Sequence, residues 1–238
     1  MLQCEQGIIC HEEFLRTADE AETFLHQAEE SLATCTDPSG DRDLCLDKLR
    51  TSENLLSKQD HIQSHLDSAA QSQDNLSPQT TLEGQSTMQS VIQKLQGQWT
   101  QVIAGLNRCK VVLEDRVQKW KEFEVDMGDL DHWLLEAEGS VSKAAELRED
   151  LPEKASLLED VKTLRAEIQD KSERVEKFQQ MAESLVAENS PEVTQRVESQ
   201  AETRQQHYQG LLDRIKAIEV QQESAVVAHE SWQEAAED

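Results

Sequence analysis

The sequence predicts an all-α chain of two tandem three-helix left-handed coiled-coil bundles joined by a continuous helical linker. Three observations predict it: a composition that starves a sheet, apolar residues recurring in 4-3 steps, and a period of 109 residues that carries one half of the chain onto the other. Only 4% of the 238 residues are aromatic, and four prolines and eight glycines turn the chain too rarely for a sandwich or barrel. A hydrophobic share of 37% suits narrow apolar seams better than a thick globular centre.

The prolines punctuate the chain. Pro38, Pro78, Pro152 and Pro191 divide it into helical stretches at roughly 5–36, 41–76, 78–148, 152–188 and 191–236. Proline loses nothing at a first helical position, and Ser77 and Ser190 stand where a capping oxygen is expected. The middle stretch is about twice as long as the others, so it serves two bundles, its first half closing one and its second half opening the next.

Each stretch carries a seam. On the first, Phe14, Ala18, Ala21, Leu25, Ala28, Leu32 and Cys35 are spaced as the a and d positions of a coiled coil. On the long one the same spacing runs from Met88 through Trp99, Leu106, Leu113, Trp120, Phe123 and Leu134 to Ala144, with Arg116 its one charged member. The first seam shifted by 109 falls on Phe123, Met127, Leu130, Leu134, Ala137, Val141 and Ala144, and Trp99, Val102, Leu106 and Cys109 fall on Tyr208, Leu211, Ile215 and Ile218. The second helices answer each other too, with Leu55, Ile62, Leu66, Ala69 and Leu76 facing Leu164, Lys171, Val175, Phe178 and Leu185. An internal repeat is the economical explanation, with repeats at 1–116 and 117–231 and the opening of a truncated third at 232–238. Trp232 stands in the position of Phe14 and Phe123. The second repeat is expected to carry four additional residues, Val186 to Asn189, before Ser190 and Pro191.

An aromatic-Leu pair in the first helix (Phe24-Leu25, Trp133-Leu134), an Ala-Glu shortly after it (Ala28-Glu29, Ala137-Glu138), and an aromatic in the third helix (Trp99, Tyr208) together resemble spectrin repeats over nearly the whole chain. Tyr208 replaces the usual tryptophan and Lys171 interrupts a seam, so the second repeat is expected to pack less ideally. The period and the acidic, cysteine-containing sequence resemble repeats of nesprins, plakins or dystrophin-like proteins. Resemblance to a nesprin implies a cytoplasmic, cytoskeletal rod whose parent is anchored at the nuclear outer membrane, with repeats that dock adaptors or actin regulators such as formins.

Charge excludes some partners. Forty-eight acidic residues against 23 basic ones give a net charge of −25, which repels nucleic acid and anionic lipid. No apolar run approaches the ~20 residues that span a bilayer, so this segment is expected to make no direct membrane contact. Five cysteines without a CxxC pair point to neither a disulfide framework nor a thiolate metal site. His61 and His65 stand four apart on the second helix, but Ile62 and Leu66 claim the buried face and no third ligand is recognisable. No metal, cofactor or catalytic residue is assigned, and the chain is read as no enzyme.

Span is then the first function, each repeat measuring ~50 Å from about 35 residues per helix. Docking is the second. Residues 122–160 hold 13 acids against Lys143, Arg148 and Lys154. Around the turn in that stretch, Glu146, Glu149, Asp150, Glu153, Glu159 and Asp160 are the candidate contacts for a basic surface on a cytoskeletal or adaptor protein. The fragment is expected to be monomeric, with a homodimerising antiparallel spacer as the alternative.

Overall fold

The computed structural model describes residues 2–76, 78, 80–146, 151–187 and 189–237. The chain forms two compact units, Met1–Gln118 and Lys119–Asp238. Seven helices account for the regular structure of the described residues: α1 (Leu2–Thr36), α2 (Arg42–Ser57), α3 (Gln59–Leu76), α4 (Leu82–Ala144), α5 (Leu151–Asp170), α6 (Ser172–Val186) and α7 (Pro191–Glu237). The fold is all-α, with no strand among the described residues. In the first unit α1 packs on α2 and α3, and in the second α7 packs on α5 and α6. Helix α4 runs unbroken through the boundary between the units, and each unit uses one part of it.

The seams are where the spacing puts them. In the first unit Ala18, Ala21, Leu25 and Ala28 of α1 meet Ile62 and Leu66 of α3 and Leu95, Trp99, Val102 and Leu106 of α4, all buried. A second cluster joins Phe14, Ala69, Leu76, Met88 and Ile92. On α4 every residue of the 4-3 series from Met88 to Ala144 is buried except Met127, which is half-buried. Polar threads cross the rims, with Lys94 Nζ 3.5 Å from Glu22, Lys110 Nζ 3.3 Å from Glu53, and Gln98 donating to Glu29 at 3.3 Å. Such exposed pairs orient helices more than they stabilise them.

The connections correct two expectations. The third helix of the first unit starts at Leu82, not at Pro78, and Thr81 caps it by accepting from the Gly84 N–H at 3.2 Å. Ser77, the expected cap, lies outside the described residues. With Pro78 removed from the helix, the supposed four-residue insertion before Pro191 disappears: four residues separate Val186 from Pro191, and five separate Leu76 from Leu82. Two pairs of helix starts keep the 109-residue step, Arg42 answering to Leu151 and Leu82 to Pro191, while the starts of α3 and α6, Gln59 and Ser172, lie 113 residues apart.

A third difference lies within the second helix of each unit, expected to be continuous and in fact interrupted at one residue. Lys58 (φ −92°, ψ 3°) separates α2 from α3, and Lys171 (φ −82°, ψ 1°) separates α5 from α6. At each, the backbone N–H turns to the carbonyl three residues back, Lys58 to Leu55 and Lys171 to Ile168, at 3.1 and 3.2 Å. One such tightened turn interrupts the α-helical ladder without a proline. Val161, Ile168 and Ala182 complete the buried stripe of α5 and α6, while Leu164 is only half-buried.

The turn from α1 to α2 is held by an internal lattice. Lys48 is buried at 8% exposure, and its ammonium donates to the carbonyls of Asp37 (2.7 Å) and Ser39 (2.8 Å). Ser39 donates from both its N–H and its hydroxyl to the Asp37 carboxylate, and these bonds hold that carboxyl below its ordinary pKa. Cys35 donates to the Lys48 carbonyl, and burial pushes the Cys45 thiol up. Gly40 sits at φ 132°, where a Cβ would lie 2.6 Å from Leu44 Cδ2. Gly40→Ala is therefore expected to cost about 1–2 kcal/mol, read as a lower urea midpoint with an unchanged slope.

Candidate functional site

The acidic stretch of the second unit resolves into two surfaces. The first surrounds the turn from α4 to α5. Glu146 follows the end of α4, exposed, with its N–H bonded to the Lys143 carbonyl at 3.2 Å. Glu153 lies in the first turn of α5, where a carboxylate favours the positive end of the helix. Glu159 and Asp160 stand exposed further along α5. Lys162 lies 3.9 Å from the Glu159 carboxylate and equally far from Glu223 of α7, so one cation is shared between two acids. Glu149 and Asp150 lie outside the described residues. In the 109-residue register Asp150 answers to Asp41, whose carboxylate caps α2 by accepting from the Leu44 N–H at 3.1 Å. The four described acids are each exposed, one just after α4 and three along the start of α5. They attract cations but do not converge on a point.

The second surface was not anticipated from the sequence. A groove of about 330 Å³ runs between α4 and α5 and reaches the Lys171 break. Ala137, Leu164 and Ile168 provide its apolar lining. Trp133 forms one wall, and Glu136, Glu167, Asp170 and Lys171 bring charge to it. The indole is half-buried and tilted against the Tyr208 ring, with centroids 6.2 Å apart. Burial pushes the Tyr208 hydroxyl pKa up. Glu136 has His132 at 3.3 Å, while Glu167 and Asp170 have no ion-pair partner among the described residues. A sequence signal did exist: Glu167 and Asp170 are three apart, hence on one face of a helix.

The first unit has a smaller hollow of about 130 Å³ near Glu20, Phe24, His61 and His65. The two imidazoles meet edge-on at 4.7 Å, and His65 Nδ1 is 4.0 Å from Glu20. Among the described residues no group of three or more His, Cys, Asp or Glu side chains is arranged to hold a metal ion. No helix among them is long and apolar enough to cross a membrane.

Comparison with known proteins agrees with this architecture. Residues 118–221, most of the second unit, match the family model of the spectrin repeat. The chain is similar to Muscle-specific protein 300 kDa of Drosophila melanogaster, 24% identical over 161 residues, which cover 68% of this chain and 1% of that protein. The chain therefore spans a small fraction of the relative it matches. Over its second unit the chain is thus similar to a spectrin repeat, which is a helical bundle.

Proposed function

We propose that this chain is a rod segment and protein-docking platform of a large cytoskeletal linker protein, and that the acidic turn of its second unit receives a basic surface of a cytoskeletal or adaptor partner. The observation that carries the reading is the exposure of Glu146, Glu153, Glu159 and Asp160 on one short stretch whose neighbouring cations are few. Complementary charge there speeds encounter and selects partners without disturbing the seam. Similarity to a giant muscle protein is the support for a parent of great length. In the finer form of the proposal the parent is nesprin-like, joins the nuclear outer membrane to actin, and docks an actin regulator such as a formin.

The test is a pull-down from cytosolic extract with the wild-type chain beside Glu153→Lys/Glu159→Lys/Asp160→Lys, both shown to be helical by circular dichroism. A protein retained by the wild type at low salt is expected to be lost with the variant and at about 0.5 M salt, where the screening length falls well below 10 Å. Equal retention by both chains defeats the reading.

A further inference from the structure

We propose that the groove between α4 and α5 of the second unit is a receptor for an arginine side chain carried by an exposed segment of a partner protein. The groove's volume, about 330 Å³, lies at the lower end of the range typical of ligand pockets, ~300–1,000 Å³. Its chemistry is that of a guanidinium site. Trp133 offers an indole, the best cation–π surface among side chains, and the Tyr208 ring behind it fixes its tilt. Glu136, Glu167 and Asp170 outnumber Lys171, leaving a net charge of −2 around the aromatic wall. A planar guanidinium both stacks on an indole and donates in parallel to a carboxylate, whereas an ammonium is a compact, strongly hydrated point charge. The apolar lining accommodates the methylene stem.

The first unit supplies an internal control for this reading. In the 109-residue register Trp133, Glu136, Glu167, Asp170 and Lys171 answer to Phe24, Gln27, Lys58, His61 and Ile62. The aromatic wall is kept, but every carboxylate of the groove is replaced, one of them by a lysine. The first unit thus lacks these three acids at the corresponding position, where Glu20 is the one acid lining its smaller hollow. The negative groove is a property of the second unit and not a requirement of the fold.

This inference rests on the reading that the second unit meets a basic partner, but it uses other residues than the acidic turn. The test is a titration of the full 15N-labelled chain with the blocked peptide Gly-Ser-Arg-Ser-Gly, following the indole N–H resonances. The Trp133 resonance is expected to move saturably while that of Trp99 stays in place. A peptide with citrulline in place of arginine is expected to bind about tenfold more weakly, and one with lysine also more weakly. Glu136→Gln/Glu167→Lys/Asp170→His, which installs the first unit's residues, is expected to abolish the shift with the helical spectrum unchanged. Trp133→Phe is expected to weaken the effect on neighbouring backbone amides. The turn variant Glu153→Lys/Glu159→Lys/Asp160→Lys is expected to bind the peptide as the wild type does, so a failed pull-down and a failed titration are separable outcomes. Equal binding of the citrulline peptide, or a shift that survives the triple groove substitution, overturns the proposal.

Discussion

Replacing Phe178 with alanine should lower the unfolding free energy of the second unit by about 3–5 kcal/mol, the usual cost of emptying a buried aromatic position. Phe178 is 2% exposed, and its ring lies nearly parallel to that of Phe123, 4.9 Å between centroids and 12° between planes. Trp120 meets the Phe123 ring edge-on at 6.1 Å, so three aromatics form one continuous contact. On Phe178 lies the guanidinium of Arg204, 5.9 Å from the ring centre and held by Asp131 at 2.6 Å. Alanine removes the ring from the middle of this stack and takes away the surface on which Arg204 rests. Urea unfolding followed by circular dichroism checks it, and Phe178→Leu should recover much of the loss because most of the volume returns. A loss below about 1 kcal/mol would mean that the stack is not formed in solution.

The second large effect has the opposite sign. Gln222 of α7 is 1% exposed, and neither its Oε1 nor its Nε2 has a hydrogen-bond partner among the described residues. Its register equivalent in the first unit is Leu113, fully buried at 0% exposure. A buried amide that pairs with nothing forfeits its hydration, about 1–3 kcal/mol on mutational scales. Gln222→Leu, the residue that the same position already tolerates in the other unit, should therefore stabilise the second unit by about that amount and raise its melting temperature by several degrees. Calorimetry of the full chain reads the change. A destabilised variant would show that the amide finds partners or that the position does not admit leucine's shape.

Much of this fold was legible in the sequence. The a and d positions of α1 and α4 followed from spacing alone, because a helix with one partner-facing stripe leaves no second choice of face. Arg116, the lone charge in the α4 seam, is buried at 2% exposure, so the periodicity held even where polarity argued against it. What the sequence concealed has common causes. A proline in a connection and a proline opening a helix carry the same local signature, so Pro78 was read as a helix start while Thr81 made the cap. The breaks at Lys58 and Lys171 need only one residue with ψ near zero, a conformation lysine adopts without any side-chain marker. Buried Lys48 was hidden because its partners are backbone carbonyls, which leave no trace in residue identity.

The candidate surfaces divide along the same line. Exposed acids near a turn can be recognised by counting charge along the chain, and Glu146, Glu153, Glu159 and Asp160 are exposed. The groove could not be counted in this way, since its aromatic wall and its Glu167–Asp170 pair come from helices separated by a turn. Only packing puts Trp133 opposite Asp170.

The shared 109-residue step has a consequence for how such a chain can change over time. Because Arg42 and Leu151, and likewise Leu82 and Pro191, stand one fixed step apart, duplication or excision of a window of that length cut at these points joins equivalent points. Along the long helix the splice can fall inside the helix as well as in a turn, for the 4-3 seam on either side resumes in phase. Length is thereby adjustable in whole modules, while the residues off the seam are left to diverge. The replacement of Gln27, Lys58 and His61 by Glu136, Glu167 and Asp170 is what that freedom looks like between two copies within one molecule.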